Sequence, residues 1–258
     1  MNEVMVILDW QFSPPDYFEE SISISRNDYT MVIEDGKVEA RITATNFDAN
    51  AQMRNTLHEA LNDRFLGVQL LSHRPYELSK PRVIKLHPDG HKDYFFEPEG
   101  GKITLTGGTA DIRVTDKHGN VISDSKRDRI EKKKSLAELV SAYRSSDSVL
   151  SALLNSHRAA VRDPDNELVH LYEIREKLSK RFGGELAARS ALGIALSAWS
   201  RIGQLCNNEA LQQGRHRGKS VGDLRDATDA ELMEVRGIAR SMIEAYLQYL
   251  ERLKATVA

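Results

Sequence analysis

The sequence has very little cysteine, with Cys206 the single one among 258 residues. One cysteine excludes an internal disulfide framework and a zinc site built from several cysteines. A nucleophilic role for Cys206 would need an activating base beside it. We therefore interpret it as a small buried apolar residue.

Long uncharged hydrophobic runs are also missing. No stretch approaches the roughly 20 apolar residues that a bilayer-spanning helix needs. The first ten residues include Glu3 and Asp9 and lack the basic start of a signal peptide. On these grounds we expect a cytoplasmic protein with no membrane partner.

The composition is that of a folded protein with one large domain or two ordinary ones, at 40% hydrophobic and 29% charged residues. Residues 1–130 hold 16 Lys and Arg against 21 Asp and Glu, and the remaining residues hold 20 against 17. This asymmetry is too mild to establish nucleic-acid binding. It does make the second half the better candidate for such binding.

Short extended segments dominate the first half of the chain. Residues 4–8 form a continuous apolar run, typical of a strand buried on both faces, and residues 21–25 alternate serine with isoleucine. Asp35-Gly36 lies between two further extended runs. This dipeptide predicts a β-hairpin, because both residues tolerate positive φ.

One helix interrupts the strands of the first half. Apolar side chains recur once per turn between Asp48 and Phe65, which predicts an amphipathic helix. We interpret the apolar run 66–71 as a return to strand, with further strands up to residue 122. A sheet with one helix packed on it is the expected product.

A charged segment separates the two halves. Residues 124–134 hold six basic and three acidic side chains, and the strand patterns stop there. We interpret residues 126–134 as a charged linker, with the start of a helix as the alternative. Just after it, Ser135-x-x-Glu138 is a capping box that predicts the first residue of a helix.

Signals for helix ends recur through the second half. They are an aspartate cap, a proline in a first turn, glycines after a last turn and a second capping box: Asp147, Asp163-Pro164, Gly183-Gly184 and Thr228-x-x-Glu231. One uninterrupted helix is expected from Glu185 to about Cys206. Short connections between the helices favour an antiparallel bundle.

These patterns together predict an α+β protein. Residues 1–125 are expected to form a domain with a mixed β-sheet and one packed helix. Residues 126–134 are the charged linker. Residues 135–258 are expected to form a bundle of four to five helices.

The segment between the last two helices is the strongest candidate for a functional site. Arg215 and Arg217 carry planar guanidinium groups that suit phosphate. His216 lies between them and can transfer a proton near neutral pH. These residue types suit binding or cleaving a phosphodiester, and we assign the three as candidate catalytic residues.

Lys219 and Asn207 are candidate ligand-binding residues near the same segment. The alternative is a charged loop whose arginines pair with Glu209, Asp223 or Asp226. The histidines lack the two-histidine-plus-carboxylate spacing of a helical zinc site, so neither a metal nor a cofactor is expected.

The order of features in the second half is similar to that of a known superfamily. A helix ends in Phe-Gly-Gly at 182–184, the next contains Trp-Ser-Arg-Ile-Gly at 199–203, and a polar Arg-His-Arg loop at 215–217 precedes a long final helix. On these features residues 135–254 resemble the HEPN-like (higher eukaryotes and prokaryotes nucleotide-binding) helical domains. Such domains occur in bacterial abortive-infection and antiphage proteins.

The resemblance implies a defence-associated homodimer that binds RNA or nucleotide, with metal-independent ribonuclease activity. Active members carry an arginine followed a few residues later by a histidine, at the start of the final helix. Here Arg215 and His216 are adjacent, and Ser220 stands near where that histidine is expected. Members of the superfamily that bind nucleotides or partners without catalysis provide the other interpretation.

A second hypothesis needs no chemistry. The chain would be a protein–protein interaction and dimerisation module, whose strand-rich half recognises a protein partner. Its helices would dimerise through Trp199 or through the face formed by residues 242–249.

Overall fold

The computed structural model describes residues 4–89, 91–95, 111, 113–115, 121–215, 217 and 222–257. The chain is α+β, as predicted, with strands first and helices after them. It divides into two compact units. Unit 1 is Met1–Val68 with Tyr76–Ala137, and unit 2 is Gln69–Pro75 with Glu138–Ala258.

The described strands lie in the first half of the chain. They are β1 Met5–Ser13, β2 Ile22–Ser25, β3 Tyr29–Glu34, β4 Lys37–Thr43, β5 Glu77–Leu78, β6 Arg82–Leu86, β7 Lys92–Phe95, β8 Arg113–Thr115 and β9 Val121–Asp124.

The described α-helices lie mostly after residue 124, and two of them, α1 and α2, lie among the strands. The helices are α1 Ala44–Ala49, α2 Met53–Ser72, α3 Ser125–Tyr143, α4 Ser148–Arg162, α5 Glu167–Phe182, α6 Glu185–Leu192, α7 Leu196–Gly203 and α8 Asp229–Val257. A 3-10 turn, Pro164–Asn166, precedes α5, and a π-helical turn, Gln204–Asn208, follows α7.

The main sheet has the strand order β2-β3-β4-β1-β6-β7, with β5 paired to the end of β1. Every described strand pair in it is antiparallel, where the sequence had suggested a mixed sheet. Residues 6–8 of the central strand β1 are buried, as their apolar run predicts. The hairpin is confirmed too: Asp35 and Gly36 have φ of 45° and 78° between β3 and β4.

Helix α2 is longer than predicted and begins later. Its apolar ridge is buried as expected, with Leu57 and Phe65 at 3% and 0% exposure. The strand predicted over residues 66–71 is wrong, because these residues continue α2 to Ser72. A short apolar run is ambiguous between a buried strand and a buried turn of helix, and only packing decides it.

Residues 126–134 are helical and do not form a linker. Helix α3 begins at Ser125, so Ser135 lies inside it and the predicted capping box does not open it. The Asp124 carboxylate instead accepts the backbone N–H of Arg127 at 3.1 Å. Arg, Lys and Glu are good helix formers, which explains why so charged a segment is helical.

The bundle in unit 2 begins and ends its helices where local signals predict. Asp147 accepts the N–H of Leu150 at the start of α4, and Gly183 ends α5 in the left-handed conformation. Thr228 and Glu231 exchange hydrogen bonds as a capping box before α8. Each of these contacts joins residues at most three or four positions apart.

The single helix predicted from Glu185 to about Cys206 is two helices. Gly193 adopts φ 67° and ends α6, and α7 begins at Leu196. Cys206 lies in the π-helical turn and is fully buried, which confirms its interpretation as an interior residue. Burial raises the pKa of its thiol to about 12, so the thiol stays protonated at neutral pH.

None of the helices in the described ranges is both long enough and apolar enough to cross a lipid bilayer.

Candidate functional site

The connection between the π-helical turn and α8 has its own backbone framework. The Gln212 N–H donates to the Arg225 carbonyl at 2.9 Å, and the Arg225 N–H donates to the Ala210 carbonyl at 3.1 Å. The Gln213 side chain bonds Asp226 and the N–H of Ala227. Both arms of this connection are therefore held together where they leave the bundle.

Arg217 has a structural role in this connection. Its Nη2 donates to the Asp165 carbonyl at 2.7 Å and to Asn166 Oδ1 at 2.6 Å, and its Nε donates to the Gly214 carbonyl at 3.2 Å. All of these acceptors belong to the protein. The guanidinium fastens the connection to the turn before α5 through its Nε and Nη2 donors.

Arg215 reaches helix α5. Its backbone N–H donates to the Cys206 carbonyl at 2.9 Å, and its side chain forms an ion pair with Glu176. Its guanidinium carbon lies 5.2 Å from the centre of the Tyr172 ring, a cation–π distance. Arg215 therefore pairs with Glu176 and not with Glu209, Asp223 or Asp226, the alternative partners that the sequence suggested.

Tyr172 and Glu176 also line a groove of about 530 Å³ between α5 and the start of α6. The residues around it are Tyr172, Arg175, Glu176, Ser179, Lys180, Gly183, Gly184 and Glu185. Arg215 thus extends from the sequence-predicted loop to two residues of this groove, although it is not itself one of the residues around it. The sequence did not predict the groove itself.

Arg175 is the most constrained cation of the groove. Its Nη1 donates to the Tyr172 hydroxyl at 2.8 Å, and its Nη2 donates to Glu185 at 3.3 Å. Its guanidinium carbon lies 5.2 Å from the Trp199 ring centre. These contacts hold one edge of the guanidinium fork in place at the groove.

The groove residues of α5 share one helical face, at spacings of three and four residues from Tyr172 to Gly183. A polar stripe at this spacing was visible in the sequence. The apolar face of the same helix is the stronger signal, so the polar stripe alone does not mark a site. Only the fold connects it with Arg215, which is 39 residues beyond Glu176.

The other predicted site residues do not converge on the groove. The amide of Asn207 donates to Asn208 at 3.0 Å in the π-helical turn, and Asn207 is not among the groove residues. His216 and Lys219 lie outside the described residues. Of the five predicted residues, the structure therefore places Arg215 against two groove residues and Arg217 in a supporting role at the turn before α5.

A second cluster of charge, in the interior of unit 2, was not predicted. Glu167 is 2% exposed and accepts Arg236 Nε and Nη2 at 2.6 and 2.7 Å and His73 Nε2 at 3.1 Å. Burial alone would raise the pKa of Glu167, but the hydrogen bonds from Arg236 and His73 lower it to about 2. Glu167 is therefore ionised at neutral pH.

Two imidazoles lie next to this carboxylate. The rings of His73 and His157 are perpendicular, with centres 5.2 Å apart, and His73 Nδ1 is buried without a hydrogen-bond partner. Burial first, and then the neighbouring His73 and Arg240, lower the pKa of His157 to about 3. His157 is therefore neutral at physiological pH.

The chemistry available at the groove is electrostatic binding. Arg175, Lys180 and Arg215 supply cationic donors, and Glu176 and Glu185 offset two of those charges. Within the described ranges, no three His, Cys, Asp or Glu side chains are arranged to hold a metal ion. Comparisons of the chain with protein-family models, curated proteins and solved structures found no match.

Proposed function

We propose that unit 2 binds a phosphate-bearing ligand, a nucleotide or RNA, in the groove between α5 and α6. The observation that carries this proposal is the position of Arg215. The loop that the sequence selected on residue chemistry brings a guanidinium against Tyr172 and Glu176, two residues of the groove that Arg175 and Lys180 also line. Guanidinium groups bind phosphate oxygens through paired N–H donors.

Ribonuclease activity in a HEPN-like protein is the stronger form of the proposal. Arg215 would hold the phosphate, and the adjacent His216 would act as the acid or base. Supporting it are the resemblance of residues 135–254 and the placement of Arg215. Arg217 supports the loop in this scheme and does not contact the substrate.

Binding is tested with a fluorescent single-stranded RNA and with a mononucleotide at two salt concentrations. Arg215→Ala should weaken binding at least tenfold and reduce its salt dependence, because one phosphate contact is lost. Arg225→Ala is the matched control. Arg225 is in the same connection and pairs with Glu231, away from the groove, so its loss should change binding little. Equal effects of both variants would refute the groove as the site.

Catalysis is tested by RNA cleavage in a metal-free buffer containing a chelator. Wild type should cleave and His216→Ala should not, while both bind RNA equally. Equal cleavage by both, or none by either at high protein concentration, would leave a binding protein without ribonuclease activity.

Exposed apolar side chains favour protein–protein interaction as a second function. Trp199 and Met242 belong to the two surfaces that the sequence suggested for a dimer. Their side chains are 0% and 1% exposed within the chain, so both lie in its core. Leu186, Leu196 and Met233 are instead 74%, 56% and 64% exposed. Sedimentation of wild type against Leu186→Ser and Met233→Ser tests whether these side chains hold a dimer together. A monomer at all concentrations would remove this function for a second copy of the chain.

A further inference from the structure

Arg215 already holds an anion, the carboxylate of Glu176. Both side chains are partly exposed, at 38% and 46%, so the pair can open without unpacking the bundle. A carboxylate uses the same guanidinium donors that a phosphate would use. Glu176 engages Nη1, so a phosphate that binds the Nη1–Nη2 edge of Arg215 must replace Glu176 there.

This exchange discriminates between kinds of phosphate. An internal phosphodiester of RNA carries one negative charge, the same as the carboxylate it would displace, so the exchange gains little. A terminal phosphate carries a charge of about −1.5 to −2 at pH 7 and three acceptor oxygens. It can satisfy Arg215 and also attract a second cation.

Lys180 is that second cation. It is exposed, lines the groove, and has no ion-pair partner among the described residues. Arg175 is less available, because Tyr172 and Glu185 already occupy its Nη1 and Nη2. The floor at Gly183 and Gly184 is open, since a Cβ at either position would meet no atom within 4 Å.

The size of the groove also favours a small ligand or a chain end. At about 530 Å³ it is within the range of small-molecule sites, roughly 300–1,000 Å³. A continuous strand would need an extended track of cations. The described cations of the groove are confined to two turns of α5 and the single contact from Arg215.

We propose that the groove selects a phosphomonoester, the terminal phosphate of a mononucleotide or of a 5′-phosphorylated RNA end, which displaces Glu176 from Arg215 and binds Arg215 together with Lys180. The inference rests on the proposed function and specifies its ligand. Glu176 is the specificity-determining residue, because its carboxylate sets the charge that an incoming anion must exceed.

The test measures binding of three probes to the full-length chain: AMP, a 5′-phosphorylated tetra-adenylate RNA, and the same RNA with a 5′-hydroxyl. Wild type should bind the phosphorylated RNA at least tenfold more tightly than the 5′-hydroxyl RNA. Similar affinities for AMP and the phosphorylated RNA would identify the phosphomonoester alone as the ligand. Much tighter binding of the phosphorylated RNA would identify an RNA end.

Glu176→Gln removes the competing charge. It should tighten binding of both RNAs and reduce the preference for the 5′-phosphate to about threefold or less. Glu173→Gln is the matched control: Glu173 lies three residues earlier on α5, does not line the groove and acts on Arg215 only through space, so its effect should be clearly smaller. Lys180→Gln should lower affinity for the phosphorylated RNA and leave the 5′-hydroxyl RNA nearly unchanged.

The outcomes separate this inference from the proposed function. Equal wild-type affinity for both RNAs, or equal effects of Glu176→Gln and Glu173→Gln, would overturn the exchange while leaving phosphate binding at the groove intact. No binding of any probe by wild type or Glu176→Gln would overturn both. Circular dichroism of each variant confirms that the helices are retained.

Discussion

Units 1 and 2 each hold a carboxylate in an arginine fork, but they differ in the second hydrogen-bond donor to that carboxylate. In unit 1 Arg129 donates Nε and Nη2 to Glu19 at 3.0 and 2.7 Å, and Lys133 adds a further hydrogen bond. In unit 2 the matching fork is Arg236 on Glu167, and the second donor is a histidine, His73. The two arginines donate through the same pair of nitrogens, while the further donor is a lysine in unit 1 and a histidine in unit 2.

The difference predicts that the two units respond differently to acid. In unit 1 the partners of Glu19 are an arginine and a lysine, so acid acts on this cluster through its carboxylates. Hydrogen bonds from Arg129 and Lys133 outweigh burial and lower the pKa of Glu19, which delays its protonation. Unit 2 adds two imidazoles, and burial lowers the pKa of one of them, His157, to about 3.

The chain carries a reporter for each unit. Its two tryptophans are Trp10 in β1 and Trp199 in α7, and both are 0% exposed. Trp10→Phe leaves fluorescence from unit 2 alone, and Trp199→Phe leaves it from unit 1 alone. All the stability predictions below use these two backgrounds as their references.

The largest effect is expected from Glu167→Gln. It leaves His73 and the partly exposed Arg236 without the carboxylate that they share, which should cost unit 2 about 3 kcal/mol of unfolding free energy, the lower end for a buried pair. Urea denaturation followed by Trp199 measures it. The matched change in unit 1, Glu19→Gln, should cost less, because Glu19 is 17% exposed against 2% for Glu167. Equal losses would contradict the difference in burial.

Gly67→Ala should destabilise unit 1. A Cβ at Gly67 would lie 2.5 Å from the Leu136 carbonyl oxygen and 2.6 Å from the Ala137 Cα, so α2 and α3 would have to move apart. The expected cost is about 1–3 kcal/mol. Gly237→Ala in α8 of unit 2 is the control: its Cβ meets no atom within 4 Å, and helix propensity should add up to ~1 kcal/mol. Thermal unfolding measures the stability of both variants. An unchanged melting temperature in Gly67→Ala would contradict the predicted clash between α2 and α3.

Unit 2 should lose stability as the pH falls below 6.5, because of His157. Burial lowers its pKa from 6.5 to about 3 in the folded chain. The unfolded chain therefore holds more protons between these values, and the free energy of unfolding falls with falling pH, by at most about 1.4 kcal/mol per pH unit. His157→Phe should flatten that slope.

In the window from pH 6.5 to 5 Glu19 and Glu167 stay ionised, because hydrogen bonds from their partners lower the pKa of both carboxylates. Denaturation followed by Trp10 should show no comparable slope for unit 1 in this window. A slope that persists in His157→Phe would assign the acid sensitivity to another group.

The smallest effect concerns the start of α8. Thr228→Ala removes the hydroxyl that accepts the Glu231 N–H at 3.2 Å, and should cost about 0.5–2 kcal/mol in unit 2. Ser241→Ala is the control, because its hydroxyl only donates to the Gly237 carbonyl one turn earlier in the same helix. A loss in Ser241→Ala as large as in Thr228→Ala would contradict the role of the cap.

Local signals predicted a large part of the fold. The Asp35-Gly36 hairpin, the Asp147 cap and the Thr228 capping box all form as expected. Two of the errors fell where two structures suit the same short pattern. Residues 66–71 fit a strand or a buried helix turn, and residues 126–134 fit a solvated linker or a charged helix.

Much less of the candidate site was predictable. The residue types at 215–217 marked the loop, but both arginines found partners that no spacing rule suggests, Glu176 and the turn at 165–166. The groove needs α5 and the start of α6 side by side. The interior cluster joins His73, Glu167 and Arg236, which are far apart in sequence.

The sequence by itself therefore determined the α+β class, the hairpin and the principal helix caps. Each depends on backbone conformation and hydrogen bonds among residues within about four positions of one another. Only the tertiary structure decided which acid faces which base, that Glu167 is buried while Glu176 remains exposed, and that Arg215 reaches the groove. Electrostatic partners are chosen by distance and by exclusion of water, and both depend on how distant segments pack.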